Sequence, residues 1–180
     1  AERNAVTGLV PGNTAANTGN VDLHQGYVDY YPGGDKDWRL RLGRQEINLG
    51  DQRIVGALNW HNVARSFDGL RATGKVGEAT VDAFHFTIAD LTLNPGGVTG
   101  PDDQVLAGAN FSWKLDEHTL ETYLMHFNDR AALNARSSTG VLGSQSFEIF
   151  GVRALGPLGQ TDLDYKLEVA AQRGDFSIDK

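Results

Sequence analysis

An all-β fold, in which antiparallel strands cross a membrane as part of a barrel, is what this sequence predicts. Three observations carry it. Segment after segment alternates with a period of two, one face apolar and the other polar or charged. Short and long connections alternate along the whole chain. The clean strands run to roughly 9–11 residues, the length that crosses a bilayer core when tilted, and Tyr30, Tyr31, Trp38 and Trp113 stand near strand ends, as in interfacial girdles.

Eight strands are expected, near 20–31, 37–47, 66–76, 79–90, 103–115, 118–128, 145–156 and 161–173. The first, VDLHQGYVDYY, is strand-like with no settled phase. In DWRLRLG the faces are Trp38, Leu40 and Leu42 against Arg39 and Arg41. GLRATGKV sets Leu70, Ala72 and Val76 against Arg71, Thr73 and Lys75. VDAFHFTI sets Phe84, Phe86 and Ile88 against Ala83, His85 and Thr87, which places His85 on the lumen side. QVLAGANFSWKL puts Val105, Ala107, Ala109, Phe111, Trp113 and Leu115 opposite Gln104, Gly108, Asn110, Ser112 and Lys114. TLETYLMHF is again a strand of unsettled phase. IFGVRA sets Phe150, Val152 and Ala154 against Arg153, with Ile149 and Gly151 on the polar side. TDLDYKLEVAAQ is the cleanest: Leu163, Tyr165, Leu167, Val169 and Ala171 oppose Asp164, Lys166, Glu168 and Gln172.

The connections orient these strands. YPGGDKD, VGEA, LDEH and GPLGQ are short. The segments near 48–65, LTLNPGGVTGPDD and NDRAALNARSSTGVLGSQ are long. Tight turns at one end and long loops at the other are the layout of an outer-membrane barrel of a Gram-negative bacterium. With the short turns periplasmic, the first strand descends and the eighth ascends. Both chain ends then lie on the long-loop side, so residues 1–180 are expected to be an internal fragment of a single, larger barrel domain. An eight-stranded barrel closed on itself is the alternative.

Composition narrows the function. The chain of 180 residues carries a net charge of −7, which argues against nucleic acid as a partner. No cysteine is present, so disulfides and thiolate metal sites are excluded. The 22 glycines and 5 prolines suit strands with many turns. No apolar run is long enough for a spanning helix, which leaves strands to meet the outer-membrane lipid. Against the acidic whole, the polar faces are mainly basic: Arg39, Arg41, Arg71, Lys75, Lys114, Arg153 and Lys166 outnumber Glu121, Asp164 and Glu168. Rings of Arg and Lys in a low-dielectric pore select anions, and the planar guanidinium holds both oxygens of a carboxylate. The partner implied is an anionic polysaccharide or small anionic solutes. A general or uptake porin whose lumen charges only pair and hydrate is one competing reading, and a soluble carbohydrate-binding β-sandwich is another.

Other chemistry finds little footing. The histidines do not gather: eight strand residues, about 27 Å, separate His118 from His126. Asp35 with Asp37, or Asp102 with Asp103, fit a calcium ion less well than solvated turns. Glu121 and Glu168 have no spacing that makes them a glycosidase pair, and no nucleophile or phosphate-loop motif occurs. No catalytic residue, metal site or cofactor is therefore expected, and an enzyme is not.

The block LRLGRQEINLGDQRIVGALNWHNVARSFDGLRA resembles the alginate-export family of outer-membrane β-barrels. Its elements are Gly43-Arg44-Gln45, Asp51-Gln52-Arg53, Trp60 and Arg65-Ser66-Phe67-Asp68-Gly69. VDLHQGYVDY and LDYKLEVAAQRGD are similar to the family's strands too. The resemblance implies a barrel of roughly 18 strands, of which eight lie here, with an electropositive pore that passes a polyuronate outward. Periplasmic secretion partners remain open. Strict alternation turns Arg44 toward lipid; a bulge at Gly43 would turn Arg44 and Glu46 inward, and that is the expectation. Arg53, Arg65 and Asp68 are then expected at the outer mouth or in a loop folded into the pore, either touching cargo or bracing the loop. Trp60 is expected as a loop anchor.

Overall fold

Strands that alternate with a period of two, paired in register, stack like residues into two faces of one sheet. The computed structural model describes residues 23–34, 36–57, 59, 65–88, 104–136 and 142–175. Its strands are β1 (Gly26–Tyr30), β2 (Trp38–Gln45), β3 (Phe67–Val76), β4 (Ala79–Ile88), β5 (Gln104–Leu115), β6 (His118–Arg136), β7 (Leu142–Pro157) and β8 (Asp164–Asp175). They form a single antiparallel sheet in chain order. β1 and β8 do not pair, so the eight strands do not close on themselves, and the described strands make no second sheet of a sandwich. The last pairs before the short turns are Tyr30–Leu40, Val76–Ala79, Leu115–His118 and Pro157–Asp164. Each lies further along the ladder than the one before, the stagger of tilted strands.

One face is an apolar belt. Val28, Leu42 and Leu70 share a row, as do Leu124, Phe150 and Ala171. Val28 (72%), Phe150 (55%) and Val169 (65%) are exposed far beyond what a water-facing sheet tolerates over so wide an area. Facing lipid, they need no cover. At the turn end the belt is edged by aromatic rings. Trp38 lies over Gly74, Phe111 stacks on Trp113 at 6.1 Å, and Tyr165 meets His118 at 5.8 Å. At the other end it gives way to Arg44 beside Asp68 and to the row His126, Glu148, Arg173.

Three expectations are corrected. β4 is turned the other way: Phe84 and Phe86 are buried on the second face, and His85 is exposed among the belt residues. No bulge interrupts β2, since Gly43 pairs with Gly69 and Arg44 with Asp68. Arg44 therefore stands on the Leu42 face and holds Asp68 through Nε and Nη2, both at 2.8 Å. Finally, much of the long loop expected at 128–145 is strand. β6 and β7 pair on to Arg136 and Leu142 through two register shifts, because backbone ladders need no apolar alternation outside the bilayer.

The Gly43–Gly69 pair supplies the twist beneath this face. Gly69 has φ +153°, and a Cβ there would strike the His85 carbonyl oxygen and lie 3.0 Å from the Phe86 Cα. Gly77, in the β3–β4 turn, also has positive φ (+59°) but open space around it. Gly69→Ala is expected to cost about 1–3 kcal/mol and Gly77→Ala less. The check is the temperature at which each variant loses its heat-modifiable mobility on gels.

Candidate functional site

The second face is not the plain polar wall that the alternation suggests. Along one row it carries Asp29, Arg41 and Arg71, then Phe84, Gly108, Met125 and Ile149. Apolar side chains there require a cover, and residues 46–57 provide it. Ile47 and Val55 are buried with Phe67, Phe84, Phe86, Leu106, Tyr123, Met125 and Ile149, and Leu49 and Ile54 pack at the margin. Each such side chain contributes about 1.5–3 kcal/mol when fully buried, before the loop's ordering entropy is set against it. The segment doubles back on itself: Leu49 N–H donates to the Val55 carbonyl (3.1 Å), Gln52 N–H to the Leu49 carbonyl (2.9 Å), and Ala57 N–H to Asn48 Oδ1 (2.8 Å).

Charge fastens its tip to the far side of the sheet. Arg153 of β7, almost fully buried, donates from Nε to Glu121 Oε2 (2.6 Å) and from Nη1 to Asp51 Oδ1 (3.0 Å). Lys166 Nζ also donates to Asp51 Oδ1, at 2.9 Å. Gly50 makes this possible. Its φ is +53°, and a Cβ there would sit 3.2 Å from the Arg153 guanidinium carbon. Beside them the Tyr123 hydroxyl donates to Glu168 Oε1 (2.9 Å). The Asp51 carboxyl is held below its usual range, first by the hydrogen bond from Lys166 and then by the nearby Arg153 and Arg53. A depressed carboxylate contributes its anchoring above the ordinary aspartate range and loses it only as pH falls through the lowered value. The anchor is thus intact in mild acid.

The gap between loop and wall, lined by Leu49, Gly50, Ile54, Tyr123 and Arg153, has a cavity volume of about 10 Å³. That admits about one water. Beside it Arg53, 70% exposed, lies 4.0 Å from Glu168 Oε2, which also lines the gap.

The expected site residues fall into distinct groups. Arg41 is bound by Asp29 through two bonds (2.6 and 2.7 Å) and lies 3.5 Å over the Tyr27 ring. Arg71 is bound by Asp82 (2.8 and 2.5 Å). Arg153 and Lys166 hold the loop, and Arg44 is at the outer rim with Asp68. Lys75 and Lys114 have no ion pair among the described residues, and Arg39 acts on Asp29 only from beyond ion-pair distance. Arg65 is half-buried, and burial pushes its guanidinium below the usual range without discharging it. The mainly basic face is therefore corrected. Asp29, Asp82 and Asp129 also face inward, and much of the positive charge is already matched. The Arg–Asp brace exists, but it links loop to wall and rim to rim. Trp60, Asp35, Asp102 and Asp103 lie outside the described residues, and no group of three metal-ligating side chains occurs among those described.

Sequence reading missed one more cluster. His24 Nε2 lies 2.6 Å from Glu46 Oε1, His24 Nδ1 lies 3.0 Å from Ser66 Oγ, and Ser66 donates to the His24 carbonyl (2.7 Å). The contact order is that of a nucleophile, base and acid. Ser66 is completely buried, however, with its hydrogen committed to a carbonyl, so no substrate reaches it. Only the return of β1 alongside the loop's two ends brings the three together, and nothing in their spacing signals that.

Arg153→Met is expected to loosen the anchor, because Asp51 and Glu121 both lose the guanidinium that they bond. Thermolysin should then cleave within 46–57 of the folded, detergent-solubilised protein much faster. Arg53→Gln, at a solvent-exposed pair, should change that rate far less.

No curated protein and no solved structure matches the chain. The profile of the Alginate export family matches residues 4–179. An all-β sheet with an apolar belt, staggered turns and an inward loop is what an outer-membrane barrel family requires. The chain belongs to the alginate-export family.

Proposed function

We propose that the chain forms part of the wall of an outer-membrane channel of a Gram-negative bacterium, passing an anionic polyuronate outward without any covalent step. Residues 46–57 narrow the pore, and cargo moves past them on the side away from the wall. The observation that carries this reading is the inventory of unmatched charge. Within the strands, Lys75 and Lys114 face inward with no ion pair among the described residues, Arg39 acts on Asp29 only from beyond ion-pair distance, and Asp164 is a comparable acid. Arg53, largely exposed beside Glu168, adds a loop cation. Paired charges such as Arg41–Asp29 hydrate and shape the wall. Unpaired ones exchange water for cargo carboxylates, and several weak partners in succession bind cargo yet release it.

Small anions follow the same field, so a general anion-passing porin differs from a polyuronate channel in whether chain-like cargo competes for the pore. Current through the full-length protein in a planar bilayer should be blocked by a short uronate oligomer and not by a neutral oligosaccharide of equal length. Equal block by both, or none, would remove the polyuronate assignment. Neutralising Arg39, Lys75 and Lys114 together to Gln should lower the anion preference read from the reversal potential in a salt gradient. Replacing the paired Arg71 and Asp82 together by Gln and Asn should change it far less.

A further inference from the structure

The hydrogen-bond arithmetic around His24 points to a control on the loop. Glu46 opens the inward segment and Ser66 stands just before β3, and His24, just before β1, touches both. Glu46 also accepts from Asn59 Nδ2 (3.1 Å), so the same carboxylate reaches into the loop. Its carboxyl is held below the usual range, first by the hydrogen bond from His24, and is ionised at any working pH. An ionised carboxylate only accepts, so His24 Nε2 must carry a hydrogen. In a neutral imidazole Nδ1 then has none. Ser66 has one hydrogen for two acceptors, the His24 carbonyl at 2.7 Å and Nδ1 at 3.0 Å, and one contact is left unmade. An imidazolium resolves this: Nδ1–H donates to Ser66 Oγ, Ser66 donates to the carbonyl, and Nε2–H donates to Glu46 across a charge pair. Among the described residues the other charges flanking this neck are Arg44, Asp68 and Arg65, which precedes Ser66. Arg44 is bonded to Asp68 and donates to the Leu23 carbonyl (3.1 Å).

We propose that His24 is a proton-operated latch at the neck of the inward segment 46–57, protonation fastening Glu46 at its start to Ser66 just before β3 and holding the segment in the pore. The latch rests on the reading of this segment as the constriction. It is strongest with the imidazole protonated and weakens when that proton leaves. The Asp51 anchor involves no histidine, so the two fastenings are separable.

In the full-length protein in lipid vesicles, with any cysteine outside residues 1–180 replaced by serine, Asn59→Cys takes a single spin label beside the neck rather than at the Asp51-anchored tip. The ratio of immobile to mobile label is expected to rise about threefold from about pH 8 to about pH 5, the scale of a partly exposed charged pair. In His24→Gln, and in Glu46→Gln as a second variant, the rise should vanish while the label spectrum at high pH stays as in the parent. No change with pH in the parent, or a change that survives both substitutions, would overturn the latch. Bilayer conductance over the same range separates the two ideas. A label shift with unchanged conductance keeps the latch and removes the constriction, whereas a lower conductance in acid supports both.

Discussion

Arg153 holds the molecule's inner surface together. It stands on β7 between Glu121 of β6 and Asp51 of the loop, nearly without solvent. A guanidinium so placed is unfavourable alone, and two carboxylates so placed would repel each other. Together, with Lys166 as a second cation, they form a unit that exists only when residue 51 crosses the sheet from β2 to β7. The apolar residues on either side of the tip then have a surface to cover, and the surface has a cover. Burial supplies most of the energy, while the charge cluster decides where the loop lies.

That division explains why the wall can be rich in charge without being strongly charged. Arg41 and Arg71 each have an aspartate two bonds deep, and such pairs fix side chains more than they attract solutes. The cations left over gather toward the turn end of β2, β3 and β5 and on the loop itself. A polyanion entering from the turn end would meet Arg39, Lys75 and Lys114 before the constriction, and Arg53 of the loop at it.

Much of the fold was legible in residue order. DWRLRLG and TDLDYKLEVAAQ each show both faces without ambiguity, and the alternation of short and long connections orients them. VDAFHFTI misled for a physical reason. Phe84 and Phe86 look like lipid residues because they are apolar, but they face a loop, and a strand buried on one side by protein and on the other by lipid has no polar face to mark the lumen. The charge balance misled in a similar way, because Asp29 and Asp82 sit in segments whose phase was unsettled or reversed. Arg44 kept strict alternation because Asp68 was waiting across the ladder, a partner that no local pattern reveals. Pairings over about a hundred residues, such as Arg153 with Asp51, are tertiary facts.

The position of the loop tip is the claim on which the rest depends. A pulsed-EPR distance between labels at Gln52→Cys and Ala170→Cys, in the full-length protein in a lipid bilayer, reads it directly. A single narrow distribution at the short end of the measurable range is predicted, because Asp51 is fastened to β7 and β8. A broad or long distribution would place the loop outside the pore and contradict the account.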